Sequence, residues 1–205
     1  MDTNDAAELI AEIHEDRAEN QAAETFRNRA ALMIAILAAV LAIGGLGGGN
    51  ATDDMVGNNI KASDSWAFYQ AKNVRQTAYK LAADDVEASL ATLSGPARAA
   101  AEKRLAGYRK KIDDYESEPD AKAPNDPLKG EGKTQLMARA QNFEKAFERA
   151  SEQDNNFDYA EVLLQLALVL GSVAILALNR WVLIASAVLG ALGALLTLNG
   201  FLLLV

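Results

Sequence analysis

The chain has no cysteine, a single histidine, and only four prolines in 205 residues. The missing cysteine excludes disulfide frameworks, thiol catalysis and cysteine-based zinc sites, without fixing a redox compartment. His14 lies in an acidic N-terminal segment, where a metal would find only carboxylates as further protein ligands, so it reads as a solvated residue. Neither part of the polar sequence has the basic excess of a nucleic-acid protein. Eight acids face three arginines before Ala30, and nineteen acids face sixteen bases between residues 51 and 158, within a net charge of -8. The start, MDTNDAAELIAEIHED, is acidic where a cleavable signal needs basic residues, so the apolar stretch that follows reads as a retained anchor.

What the chain does have is segregation. Apolar residues gather from Ala30 to Leu46 and from Val162 to Val205, and the sequence elsewhere is polar. Such blocks predict membrane-spanning helices. The first is just long enough to cross a hydrocarbon core. The second runs for 44 residues, about twice a bilayer's thickness, and is interrupted by Asn179 and Arg180. It therefore divides into spans over 161–178 and 181–205 joined by a tight turn. Arg27, Arg29 and Arg180 flank the span ends on one side, which predicts a cytoplasmic N-terminus and an exterior location for residues 50–158. Lys145 and Arg149 reduce the contrast.

The expected fold is all-α: three transmembrane helices with an extended, coiled-coil-like helical domain between spans 1 and 2. Its segments are an acidic stretch over 1–29, span 1 over 30–49, and an extramembrane domain over 50–158, followed by the two terminal spans. Within that domain, good helix formers without proline or glycine predict a helix over about 62–93. Ser94, Gly95 and Pro96 stop it and start a second over 96–117. Three prolines and two glycines make 118–132 a loop, and a third helix covers 133–158. Apolar positions step by four and three at Ala101, Leu105, Tyr108, Ile112 and Tyr115, and at Leu136, Ala140, Phe143, Phe147, Ala150 and Phe157. These stripes predict helices packed on one another or on partner subunits, and equally allow an exposed single-layer pair.

Small residues recur at helical spacing inside two spans: Ala31, Ala35, Ala38, Ala42, Gly45 and Gly49 in the first, and Ser186, Gly190, Gly193, Thr197 and Gly200 in the third. Seams of this kind let helix backbones approach closely, although alanine and glycine are also common in membrane helices. The glycine run Gly44 to Gly49 lacks the lysine and strand context of a phosphate loop, and suits close packing or fraying of the helix end.

Two constellations are candidate sites. Glu161, Gln165 and Asn199 form a candidate intramembrane polar cluster. The first two are one helical turn apart, and Asn199 lies about 27 Å along span 3 from Trp181, at the same level. An interhelical hydrogen bond from Gln165 or Asn199 that locks the bundle is preferred over an ion or proton site. Trp66, Gln70, Asn73 and Thr77 share a stripe and form a candidate packing surface, in preference to a stacking platform for nucleic acid. The paired aspartates Asp84, Asp85, Asp113 and Asp114 diverge by about 100° on a helix and read as solvated faces.

The stretches GGLGGGNAT and ASDSWAFYQAKNVRQTAYKLAADD, with FDYAEVLLQLALVLGSVAILALNRWVLIASAVLGALGALLTLNGF near the end, resemble a bacterial membrane-protein family known only as a domain of unknown function. The resemblance runs from about Arg27 to Leu204. It implies a bacterial membrane protein of this layout, and no activity or catalytic residue comes with it; the inner membrane is the expected location. No catalytic, cofactor or metal site is expected. The expected role is a scaffold or accessory protein held in the lipid bilayer, whose helical domain self-associates or docks a membrane-protein partner. An oligomeric channel or transporter component is the alternative.

Overall fold

The computed structural model describes residues 3–204, with side chains from Ile13 onward; Met1 and Asp2 of the acidic segment, and Val205 of the third span, lie outside the described residues. Four helices account for nearly all of it: α1 Thr3–Ser89, α2 Gly95–Glu116, α3 Lys133–Ala177 and α4 Arg180–Leu202. No strand occurs among the described residues. Three helices, α1, α3 and α4, contain stretches long and apolar enough to cross a membrane. Contacts divide the chain into two units, Met1–Thr52 with Ala150–Val205, and Asp53–Arg149, and α1 and α3 contribute to both.

The first unit gathers the three apolar stretches. Leu37, Leu164 and Ala167 are buried at its centre, with Met33, Val40, Leu41, Leu168 and Leu189 packed around them. The outside is as apolar as the inside: Leu46, Val169, Leu195 and Leu176 are all exposed, the last at 84%. Water would penalise that surface, whereas lipid tails match it, so association of these helices must come from close fit and hydrogen bonds.

The fit is carried by α4, whose buried residues are Ser186, Gly190, Gly193, Thr197 and Gly200. A Cβ on Gly190 would lie 2.6 Å from Leu37 Cδ1, and one on Gly193 would lie 2.7 Å from Leu164 Cγ. Each glycine is thus a hole filled by a leucine of a neighbouring helix. Ser186 Oγ adds an interhelical hydrogen bond to Ala167 O (2.6 Å), buried from surroundings that could compete for it.

The first span packs differently from the sequence reading. Its buried positions are Ala30, Leu37, Gly44, Gly47 and Ala51, while Ala31, Ala35, Ala38, Ala42, Gly45 and Gly49 are exposed within the chain. Alanines occupy both faces of this helix, so small size alone does not choose between them. The choice falls to Leu37, which fills the Gly190 hole, and to Gly44, which admits Thr197.

Two boundaries also differ. The sequence separates a span ending at Gly49 from a helix starting near residue 62, yet α1 continues through the glycine run. Glycine costs about 1 kcal/mol relative to alanine in a helix interior. Packing offsets that cost, because Phe157 lies against Gly47, Gly48 and Gly200, where added Cβ atoms would come 2.5, 3.2 and 2.8 Å from its side chain. The same contact draws residues 150–158, assigned from sequence to the extramembrane domain, into the first unit. Between α3 and α4 the reversal is tight. Leu178 adopts a positive φ of 51°, and Asn179 Oδ1 accepts from the N–H groups of Trp181 and Val182, capping α4.

In the second unit, α2 and the first part of α3 lie end to end along one face of α1. Toward one end, Lys61 stands over the Phe143 ring and Trp66 Nε1 donates to Glu144 Oε1. Toward the other, Tyr79 meets Tyr108 and Tyr115, and Arg109 pairs with Glu87. The loop over 117–132 leaves where α2 stops and returns where α3 starts.

Candidate functional site

Within the first unit the polar side chains sort into outward and inward sets. Glu161 and Gln165 are exposed, and Gln165 Nε2 donates to Glu161 Oε1 along one helix face (2.7 Å). Asn199 is half-buried; it donates to Asn156 Oδ1 (3.1 Å) and accepts from the Leu204 N–H (2.9 Å). The structure therefore joins Glu161 to Gln165 and sets Asn199 against Asn156. Asn199 to Asn156 thus links α4 to α3, in addition to the bond from Ser186 to Ala167. Thr52 Oγ1 donates to Asp154 Oδ1 (2.7 Å), linking α1 to α3. The sequence signal for these partners was the polar run QDNN ahead of Phe157, and in particular Asp154, which interrupts the apolar stripe at a position that faces another helix.

In the second unit, polar groups concentrate where α2 ends and α3 begins. Gln76 is 1% exposed. Its Nε2 donates to Ile112 O (2.9 Å) and Glu116 Oε2 (2.8 Å), and its Oε1 accepts from Lys133 Nζ (2.9 Å). Lys133 also reaches Glu116 Oε2 at 3.2 Å and stands over the Tyr69 ring. One glutamine on α1 thus binds the last turn of α2 and the first residue of α3. Among the described residues no buried side-chain N or O atom lacks a partner, so the network is closed rather than poised for a ligand.

Glu116 feels this arrangement electrostatically. Hydrogen bonds from Gln76 and then Lys133 hold its carboxyl below the usual carboxylate range, against the opposing effect of burial, and the charges of Lys133 and Lys80 add to them. A carboxyl with a depressed folded-state pKa stabilises the fold above its unfolded value, about 4.3, and loses that contribution as pH falls through the folded value. The size is under about 1 kcal/mol because the carboxylate is more than half exposed. Acid titration of the full chain, followed by hydrogen exchange in α2, should therefore show a loss of protection below about pH 4.3 that is smaller in Glu116→Gln.

The stripe Trp66, Gln70, Asn73, Thr77 is not the face α1 presents to α2 and α3. Trp66 is half-buried, bonded to Glu144 and edge-on to Tyr69, but Gln70, Asn73 and Thr77 are exposed. The packed face runs through Ala62, Ser65, Tyr69, Lys72, Gln76, Tyr79 and Ala83. A second stripe of the same four-and-three spacing lies on α1 and stays exposed: Ala67, Ala71, Val74, Ala78 and Leu81, with Val56 and Ile60 preceding it. Val74 is 69% exposed and Leu81 is 62% exposed. Sequence reasoning missed this stripe because three of its members are alanines in an alanine-rich helix; the spacing of Val56, Ile60, Val74 and Leu81 was the available signal.

His14 is exposed, and among the described residues no three carboxylate or imidazole side chains converge as metal ligands. A family model described as "Domain of unknown function (DUF4337)" matches residues 26–203. No curated protein and no solved structure matches the chain.

Proposed function

We propose that this chain, which belongs to the DUF4337 family, is a non-catalytic scaffold or accessory protein of a bacterial inner membrane that acts through its helical unit. The observation that carries the reading is the exposed stripe from Ala67 to Leu81. It repeats the spacing of a helix-packing seam on the side of α1 opposite to a seam already filled. Large apolar side chains at that spacing in a water-exposed helix favour coverage by another helix, in a second copy or a membrane-protein partner. The Arg27, Arg29 and Arg180 positions support a cytoplasmic N-terminus, which sets residues 53–149 on the exterior side. Nucleic acid has no part in this reading.

The test is the native mass of the full chain in detergent or polymer discs. A homo-oligomer, or a stoichiometric partner co-purified with the 21.9 kDa chain, is expected for the wild type. Val74→Asp with Leu81→Asp should reduce either to the single chain while leaving helix content unchanged. A monomeric wild type without a partner would remove the proposal. A second reading, an oligomeric channel or transporter component, draws on the exposed Glu161–Gln165 pair, since an ionisable group on an apolar helix favours facing another protein surface or water over lipid. Solute flux through reconstituted protein, abolished by Glu161→Ala, would favour it.

A further inference from the structure

Two arginines distant in sequence meet in one groove. Its walls, enclosing about 660 Å³, include Thr25, Phe26 and Arg29 from α1 and Arg180, Leu183 and Ile184 from α4. A neighbouring groove of about 540 Å³ shares Phe26 and Arg180 and extends along the α3–α4 turn. Among the described residues neither guanidinium is paired with a carboxylate. The Trp181 and Val182 N–H groups in the first turn of α4 are already taken by Asn179 Oδ1, so the arginine side chains rather than these N–H groups are what the groove offers an anion. Arg180 is also stacked over the Trp181 ring, 5.6 Å from its centroid, and Trp181 is exposed.

We propose that this groove binds the headgroup of an anionic phospholipid. Two guanidiniums with no carboxylate partner among the described residues present planar donor forks suited to a phosphodiester, and arginine keeps its charge at any physiological pH. The lower wall favours a lipid over a free anion. Ile184 is half exposed, and Val188, one turn further along α4, is exposed on the same face. On α1, Leu32 and Ile36 follow Arg29 at the spacing of a single helix face and are likewise exposed. A phosphate seated between the arginines would therefore have its acyl chains lying against apolar surface on both helices. Exposed tryptophan is suited to the same headgroup level. Anionic lipids concentrate near basic residues at a membrane surface, and here two such residues from separate helices converge on one concave site. The inference rests on the membrane-spanning reading of these helices and is independent of the scaffold role.

The experiment is native mass spectrometry of the full chain released from discs of phosphatidylcholine mixed with phosphatidylglycerol. Wild type should retain phosphatidylglycerol in preference to phosphatidylcholine. Arg29→Gln with Arg180→Gln should reduce that preference by roughly tenfold or more. Arg98→Gln with Arg109→Gln, in the other unit, should leave it intact, and Arg29→Lys with Arg180→Lys should keep most of it. Equal retention of both lipids by wild type, or undiminished preference in the glutamine pair, overturns the proposal. Inorganic phosphate that raises the wild-type melting temperature as much as phosphatidylglycerol does would assign a free-anion site and overturn the lipid assignment. Should the glutamine pair fail to fold, the wild-type lipid comparison and the lysine pair still decide. Oligomeric state is a separate readout, so failure of the scaffold reading leaves this result interpretable.

Discussion

Phe157→Ala is expected to destabilise the apolar unit by about 3 kcal/mol, the lower end of the cost of emptying a packed phenylalanine site. The lower end applies because helices in lipid gain little from hydrophobic transfer, and what the truncation removes is mainly close contact. The ring is 4% exposed and edge-on to Phe201 at 4.9 Å. Around it Gly47, Gly48 and Gly200 leave the room that the ring occupies, since a Cβ on any of them would meet Phe157 side-chain atoms at 2.5–3.2 Å. Filling the slot from the other side, by Gly200→Leu, should cost about 1–3 kcal/mol through overpacking. Thermal melting of both variants in detergent checks the pair. If Phe157→Ala melts like wild type, the phenylalanine is not what keeps α1 helical through its glycines, and that account must be given up.

Gln76→Leu is expected to cost about 2–3 kcal/mol in the second unit. The leucine fills the space but leaves Lys133 Nζ and the Ile112 carbonyl each short of a partner in a place water reaches poorly. Replacing the lysine as well, as Lys133→Met, should recover part of the loss, because removing both members of a buried polar pair is milder than removing one. The double variant should therefore be more stable than the sum of the single changes implies, by about 1 kcal/mol. Hydrogen exchange of the α2 amides in the full chain gives the comparison. Strict additivity would mean that glutamine and lysine act separately, and that no joint network ties α2 to α3.

Why α2, α3 and α4 were legible in the sequence while α1 was not follows from their composition. Leu105, Tyr108 and Ile112, or Leu136, Phe143 and Phe147, stand out against polar neighbours, and they lie on the packed faces. In α4 the small residues Ser186, Gly190, Gly193, Thr197 and Gly200 lie on one face among large aliphatics, so the seam was marked by contrast. The seam of α1 includes Ser65, Lys72 and Gln76, residue types that ordinarily read as solvent-facing. What lets Gln76 be buried is Glu116 and Lys133, 40 and 57 residues away, and no local pattern announces them. The stripe chosen from sequence, from Trp66 to Thr77, lies one position away from the true one, a rotation of about 100° around the helix.

The polar cluster shows the same limit. Glu161 and Gln165 bond to each other because a turn of helix is local. Which helix Asn199 would meet, and at which residue, depended on how α3 and α4 slide past each other, and that register is set by the holes at Gly193, which takes Leu164, and Gly200, which takes Phe157. The continuity of α1 was hidden for a related reason. Propensity weighs each glycine against an unpacked helix, whereas here the missing side chains are what allow Phe157 to pack.

The loop over 117–132 is pinched at its base. Glu131 N donates to Glu118 O at 2.9 Å, Pro119 and Gly130 form an isolated bridge, and Arg139 closes on the carbonyls of Leu128 and Gly130. Residues 120–127 therefore extend beyond a base held by these contacts, and lengthening them changes little but the closure entropy, about 0.6 kcal/mol for each doubling. The Pro124–Asn125 turn is consequently a natural graft point. An epitope or fluorescent domain spliced there would report on which side of the bilayer the helical unit resides, without touching either seam.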